Sequence, residues 1–123
     1  MKGLKAGSSS AGGGGYNPQY ITTGLSIFEN RCMLNDGGYY IDPNNIVHVD
    51  ITVTILVNVG YDYKLIIGFP QCSTTTEGWI TGAFNGLRMG YQINNDITYL
   101  GSAASHSIGE TLHFIGSYQM KIS

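Results

Sequence analysis

Between residues 46 and 59 the chain alternates almost without interruption. The odd positions read Val47, Val49, Ile51, Val53, Ile55, Val57 and Val59, and the even ones His48, Asp50, Thr52, Thr54, Leu56 and Asn58. Period 2 places successive side chains on opposite faces of a strand, so the pattern predicts a long strand with one face on a core. At about 3.3 Å per residue such a strand would exceed 40 Å, which predicts a bend or bulge along it. The C-terminal segment alternates likewise, with Leu112, Phe114, Gly116, Tyr118, Met120 and Ile122 against His113, Ile115, Ser117, Gln119 and Lys121. Shorter strands are predicted over 25–34, 39–42, 64–69, 79–84, 87–93 and 97–100. Turn residues separate them: Asn35-Asp36-Gly37-Gly38, Pro43-Asn44-Asn45, Gly60-Tyr61-Asp62, Asn85-Gly86 and Asn94-Asn95-Asp96. The Asn-Asp-Gly-Gly and Asn-Gly runs are expected to close hairpins, because they supply residues that tolerate positive φ. Residues 71–78 and 101–109, small and polar, read as loops. No helical period is visible. The expected fold is a single all-β domain, an antiparallel β-sandwich, jelly-roll-like.

Composition agrees. Ile, Val and Thr give 29 β-branched residues against 12 Ala, Glu and Lys, a balance that favours pleated sheet. With 123 residues there is room for one domain. Residues 7–15 read GSSSAGGGG and hold nothing that would offset the entropy of ordering them. The chain therefore divides into a flexible N-terminal arm, 1–15, and a sandwich body, 16–123. Met1 and Lys2 are followed by no apolar leader core, which predicts synthesis in the cytosol.

Charge narrows the partners. Only 6 residues are Lys or Arg and 8 are Asp or Glu. Without Lys2 and Lys5 the body carries 4 basic and 8 acidic residues, a net of -4. So few cations exclude a protein that holds nucleic acid by neutralising phosphates. No apolar run approaches the length of a membrane helix.

The chemistry of the side chains is sparse. Cys32 and Cys72 lie far apart in sequence with no second ligand near either. They read as buried thiols, the alternative being a disulfide in an oxidising compartment. His48, His106 and His113 form no metal-ligand spacing. His48 and Asp50 share a strand face, where a solvated polar pair outweighs a cation site or proton relay. The acidic residues lie mostly in or beside turns, where they cap backbone donors. No catalytic residue, metal or cofactor is expected. Tyrosine is more telling, with 9 copies beside a single tryptophan. Tyr and Trp offer rigid contact area with a polar handle, as recognition surfaces do, although strands also use them for packing.

Four segments carry a family resemblance: Asn30-Arg31-Cys32, the alternating run from Val47 to Val53, Ile66-Ile67-Gly68-Phe69-Pro70, and Gly116-Ser117-Tyr118-Gln119-Met120. Over residues 25–123 the layout resembles the C-terminal tip (head) domains of tailed-phage and prophage tail fibres and baseplate receptor-binding proteins. The resemblance implies a β-sandwich homotrimer on the virion that binds host cell-surface saccharide. Such tips usually follow a shoulder or shaft, and here only a Gly/Ser arm precedes the body. The alternative is a structural decoration or head-fibre protein that docks on other virion proteins through the arm.

Two further expectations come from the residues. A body with 12 charges is poorly equipped to keep both sheet faces wet, and Leu56 and Ile115 interrupt the polar faces of their strands, so self-association is expected. A saccharide site needs an aromatic wall beside polar groups, best presented by loops on a rigid scaffold. Trp79 follows the 71–78 loop, Tyr61, Asp62 and Tyr63 form a turn, and Arg88 and Tyr91 lie on the strand expected to pair with that of Trp79. These six are the candidate ligand-binding residues. Pairing across Asn85-Gly86 would set Trp79 near Tyr91, at the end of the hairpin close to 94–96. The competing role for Trp79 is a plug in the core.

Overall fold

A computed structural model describes residues 19–81 and 85–122. The expected arm, 1–15, lies outside the described residues, as do positions 82–84 of the predicted 79–84 strand. Eight strands form: β1 (Ser26–Ile27), β2 (Cys32–Ile41), β3 (Ile46–Ile55), β4 (Lys64–Ile67), β5 (Gly78–Trp79), β6 (Leu87–Gln92), β7 (Ile97–Ser102) and β8 (Thr111–Gln119). They make two antiparallel sheets, one ordered β1-β4-β7-β6-β5 and the other β2-β3-β8. The protein is an antiparallel β-sandwich. Among the described residues no helix is long and apolar enough to cross a membrane, which says nothing of a β-barrel.

β3 is the centre of the smaller sheet, and its alternation is reproduced residue by residue. Val47, Val49, Ile51, Val53 and Ile55 are buried, while each intervening residue is partly exposed. Flanked on both sides by β2 and β8, β3 has all its ladder bonds satisfied and one face free to enter the core. It ends at Ile55, short of the expected 59, and Val59 makes only an isolated bridge with His106. From the facing sheet Leu65, Ile66, Leu87, Met89 and Leu100 close the core, with Phe114 from β8 fully buried between them.

The first predicted hairpin does not exist. Asn35-Asp36-Gly37-Gly38 runs through the interior of β2, and the register against β3 shifts between Leu34 and Asp36. Asn35 is the extra residue of a bulge, so inward positions are even before it (Cys32) and odd after it (Tyr39). The glycines are there for close backbone approach. At Gly37, with φ at 90°, a Cβ would collide with the Asp50 carbonyl oxygen, and at Gly38 with that of Ile21. Ile21 exchanges two backbone hydrogen bonds with Tyr39 and covers this edge of β2. The predicted strand over 25–34 is also divided. Glu29 and Asn30 take positive φ, and the chain passes from β1 in one sheet to β2 in the other.

The hairpin between β6 and β7 turns at 93–96, Gln92 opposite Ile97. β7 continues to Ser102, two residues beyond the expected 97–100. Asn85 and Gly86 both have positive φ, as a primed turn requires. Gly78 pairs with Tyr91 and Trp79 with Gly90, so the expected register holds to within one residue.

Candidate functional site

The outer face of the five-stranded sheet collects Arg31, Lys64 and Arg88, three of the four cations among the described residues, and several aromatics. Along β6 the residues Leu87, Met89 and Tyr91 point to the core, which leaves Arg88, Gly90 and Gln92 outside. Along β7, Thr98, Leu100 and Ser102 face inward and Ile97, Tyr99 and Gly101 outward. Tyr99 lies over two glycines, since a Cβ on Gly90 or on Gly101 would come within 3 Å of its ring. Their missing side chains let the ring lie down on the sheet. Trp79, opposite Gly90, then packs edge-on against Tyr99, with ring centroids 6.0 Å apart at 66°.

Cations and rings alternate across this surface. Arg31 lies 4.6 Å from the ring centroid of Tyr63 and 4.9 Å from that of Phe28. The Lys64 ammonium is 5.6 Å from Phe28 and 5.3 Å from Tyr99. The Arg88 guanidinium stands 4.4 Å over the indole of Trp79 and donates to the Tyr61 hydroxyl at 3.1 Å. Each such contact stabilises by about 0.5–1 kcal/mol at an exposed site. Their combined effect is to hold long side chains in place. Arg88 Nε is buried with no hydrogen-bond partner among the described residues.

Beside the indole is an open hollow of about 260 Å³, lined chiefly by Trp79, Tyr99, Asp62, Glu77, Lys64 and Gln92. Asp62 comes from the turn before β4, where it adopts φ of 68° and donates its N–H to the Ser102 carbonyl at 2.8 Å. Glu77 arrives from the loop before β5, anchored by the Ile93 N–H at 3.2 Å. Burial raises the Tyr99 hydroxyl above its ordinary pKa, and Asp62 and Glu77 raise it further, against a smaller opposing effect of Arg88. The hydroxyl therefore stays protonated at neutral pH. What the arrangement offers is a flat apolar wall, two carboxylate acceptors, and an amide that both donates and accepts.

Of the six residues named from sequence, Trp79 and Asp62 line the hollow, and Arg88 and Tyr61 adjoin it. Tyr63 stands further along the row, against Arg31. Tyr91 is elsewhere: it is buried on the core side of β6, its hydroxyl donating to Asp96 at 2.7 Å. That bond and burial push its pKa up to about 12. The reason is parity. Trp79 pairs with Gly90, so it shares a face with Arg88, and the next residue along must face the other way. Trp79 is half-buried on the outside and is no core plug. Sequence reasoning passed over Tyr99, Glu77, Lys64 and Gln92. One signal for Tyr99 was present: pairing across the 93–96 turn sets it opposite a glycine, an aromatic beside an empty position.

The histidines serve elsewhere, each with one carboxylate. His48 Nε2 meets Asp42 at 2.8 Å, not Asp50, which is 2.6 Å from His113 Nε2 on the neighbouring strand. His48 also stacks on Tyr40, with centroids 4.6 Å apart. His106 Nδ1 lies 2.9 Å from Glu110. Among the described residues no group of three or more His, Cys, Asp or Glu is disposed to hold a metal. Cys32 and Cys72 are free and buried. No protein-family model, curated protein or solved structure matches the chain.

Proposed function

We propose that this protein is a non-enzymatic recognition module that binds cell-surface saccharide on the outer face of its five-stranded sheet. The observation that carries this is the placement of the sole tryptophan. Trp79 stands outside the core, braced between Tyr99 and Arg88, and forms one wall of a hollow whose other walls bear Asp62, Glu77 and Gln92. A pyranose needs such a pairing: its CH face packs on an aromatic plane while its hydroxyls meet oriented acceptors and donors. An indole left half-exposed at a wet polar hollow offers flat contact area to a ligand.

The resemblance to tail-fibre and baseplate tips supplies the setting, a homotrimer at a virion surface that attaches to a host. Exposed apolar side chains on the opposite side of the sandwich favour self-association. Ile115 is 52% exposed and Leu56 44%, and Met33 is also exposed on that sheet. The test is a glycan array on the full chain, followed by the Trp79→Ala variant. Binding that disappears with the indole supports the proposal. An array with no hit removes the saccharide and leaves a structural role on the virion.

A further inference from the structure

The saccharide reading above says that a sugar is bound, and the hollow says which class. We infer that it takes a neutral pyranose through hydroxyls on two sides of the ring and discriminates against acidic sugars such as uronic or sialic acids. The inference rests on that reading and on how the charges around the hollow are committed.

The cations of this face are mostly spent on rings. Arg88 lies flat on Trp79, with a terminal nitrogen given to Tyr61. Arg31 is outside the hollow, occupied by Phe28, Tyr63 and the Glu29 carboxylate at 3.0 Å. Lys64 alone reaches the wall, and its ammonium sits against Phe28 and Tyr99. The carboxylates are less committed. Glu77 uses one oxygen on the Ile93 N–H, which leaves the other to the hollow. No donor engages the Asp62 carboxylate among the described residues.

An anionic sugar entering here would add a third negative charge to two carboxylates that are matched only by Lys64 in the lining and by Arg88 held over the indole. A neutral ring instead donates its hydroxyls to two carboxylates, and hydrogen bonds to an ionised acceptor are the stronger kind. Asp62 and Glu77 come from loops at opposite ends of the Tyr99 strand, so they flank the ring position.

The experiment is a titration of the full chain with methyl glycosides of glucose, galactose and mannose, and with glucuronic and sialic acid, followed by Trp79 fluorescence and ligand-observed NMR. At least one neutral glycoside is expected to bind at least tenfold more tightly than either acid. Glu77→Gln keeps the acceptor for Ile93 N–H and removes the charge, so it should weaken the neutral sugar several-fold and narrow the gap to the acids. Asp62→Asn repeats the test from the other wall. Tighter binding of an acid, with the same dependence on Trp79, overturns the inference and leaves the saccharide reading standing. A Glu77→Gln protein that is folded with an unchanged ratio also overturns it. If no sugar perturbs Trp79, the saccharide reading falls and this inference with it.

Discussion

Gly90 and Tyr99 lie directly opposite each other on β6 and β7, and a Cβ at position 90 would sit 2.7 Å from both Cζ and the hydroxyl oxygen of Tyr99. The same Cβ would be 3.0 Å from Trp79 Cε3. The wall of the hollow therefore rests on an absent side chain. Gly90→Ala is expected to fold, because the tip of Tyr99 can swing away, at a cost of about 1–2 kcal/mol for the overpacking. Binding should fall at least tenfold although residue 90 would touch no ligand. Urea denaturation and a sugar titration on the same sample check both halves.

Trp79→Ala separates wall from core. Complete truncation of a buried Trp costs about 3–5 kcal/mol, so a half-buried one on the outer face should cost nearer 2 kcal/mol. The expected result is a folded sandwich that no longer binds saccharide, and Asp62→Ala should behave alike. Unfolding of the Trp79 variant, or its normal binding, would contradict the site.

Gly37 behaves differently from Gly90, because its neighbour is backbone. A Cβ there meets the Asp50 carbonyl of β3, and φ is already 90°. Neither strand can yield without breaking the ladder, so Gly37→Ala should lose on the order of 3 kcal/mol or more. Thermal unfolding should show a far larger drop than that of Gly90→Ala.

Acid stability follows from two carboxyls. Asp42 is held below its ordinary 3.8 by the hydrogen bond to His48 first, then by the Ile46 N–H. Glu110 is held below 4.5 by the Ser107 N–H and then by His106. A carboxyl whose folded pKa is depressed stabilises the fold fully above its unfolded value, and that contribution fades as pH falls through the folded one. Stability should thus begin to drop below about pH 4.5. Asp42→Asn and Glu110→Gln should each flatten this acid limb, as read by denaturation at stepped pH.

Burial pushes the Cys32 thiol up to about 11, and Cys72 is buried as well. Attack on a thiol reagent needs thiolate and access. The native protein should leave both thiols untouched by an aromatic disulfide reagent at neutral pH, and unfolding in urea should release 2 equivalents. Oxidised protein that yields none after unfolding would mean the two had paired.

Self-association is the remaining expectation. Light scattering at micromolar concentration should return a mass near three chains, and Ile115→Lys should reduce it. A stable monomer counts against the trimer.

By itself the sequence determined the class of fold and its clearest strands. The alternation of β3 and β8 reports which face is buried, because a period of 2 can be satisfied only by a strand with one side in a core. Turn chemistry at 85–86 and 94–96 marked the two ends of the β6 segment, and pairing across the first turn placed Trp79 and Tyr91 at the same end of a hairpin. The tertiary structure decided the rest. Asn-Asp-Gly-Gly is equally good for a hairpin turn and for a bulge under close backbone contact, and only the presence of Ile21 and Asp50 against Gly37 and Gly38 selects the bulge. A one-residue difference in register sends Trp79 outward and Tyr91 inward, which no local propensity expresses. The hollow draws its walls from positions 62, 64, 77, 79, 92 and 99, carried by two loops and four strands. Residues so far apart in sequence become one site only when the sheet that carries them has formed.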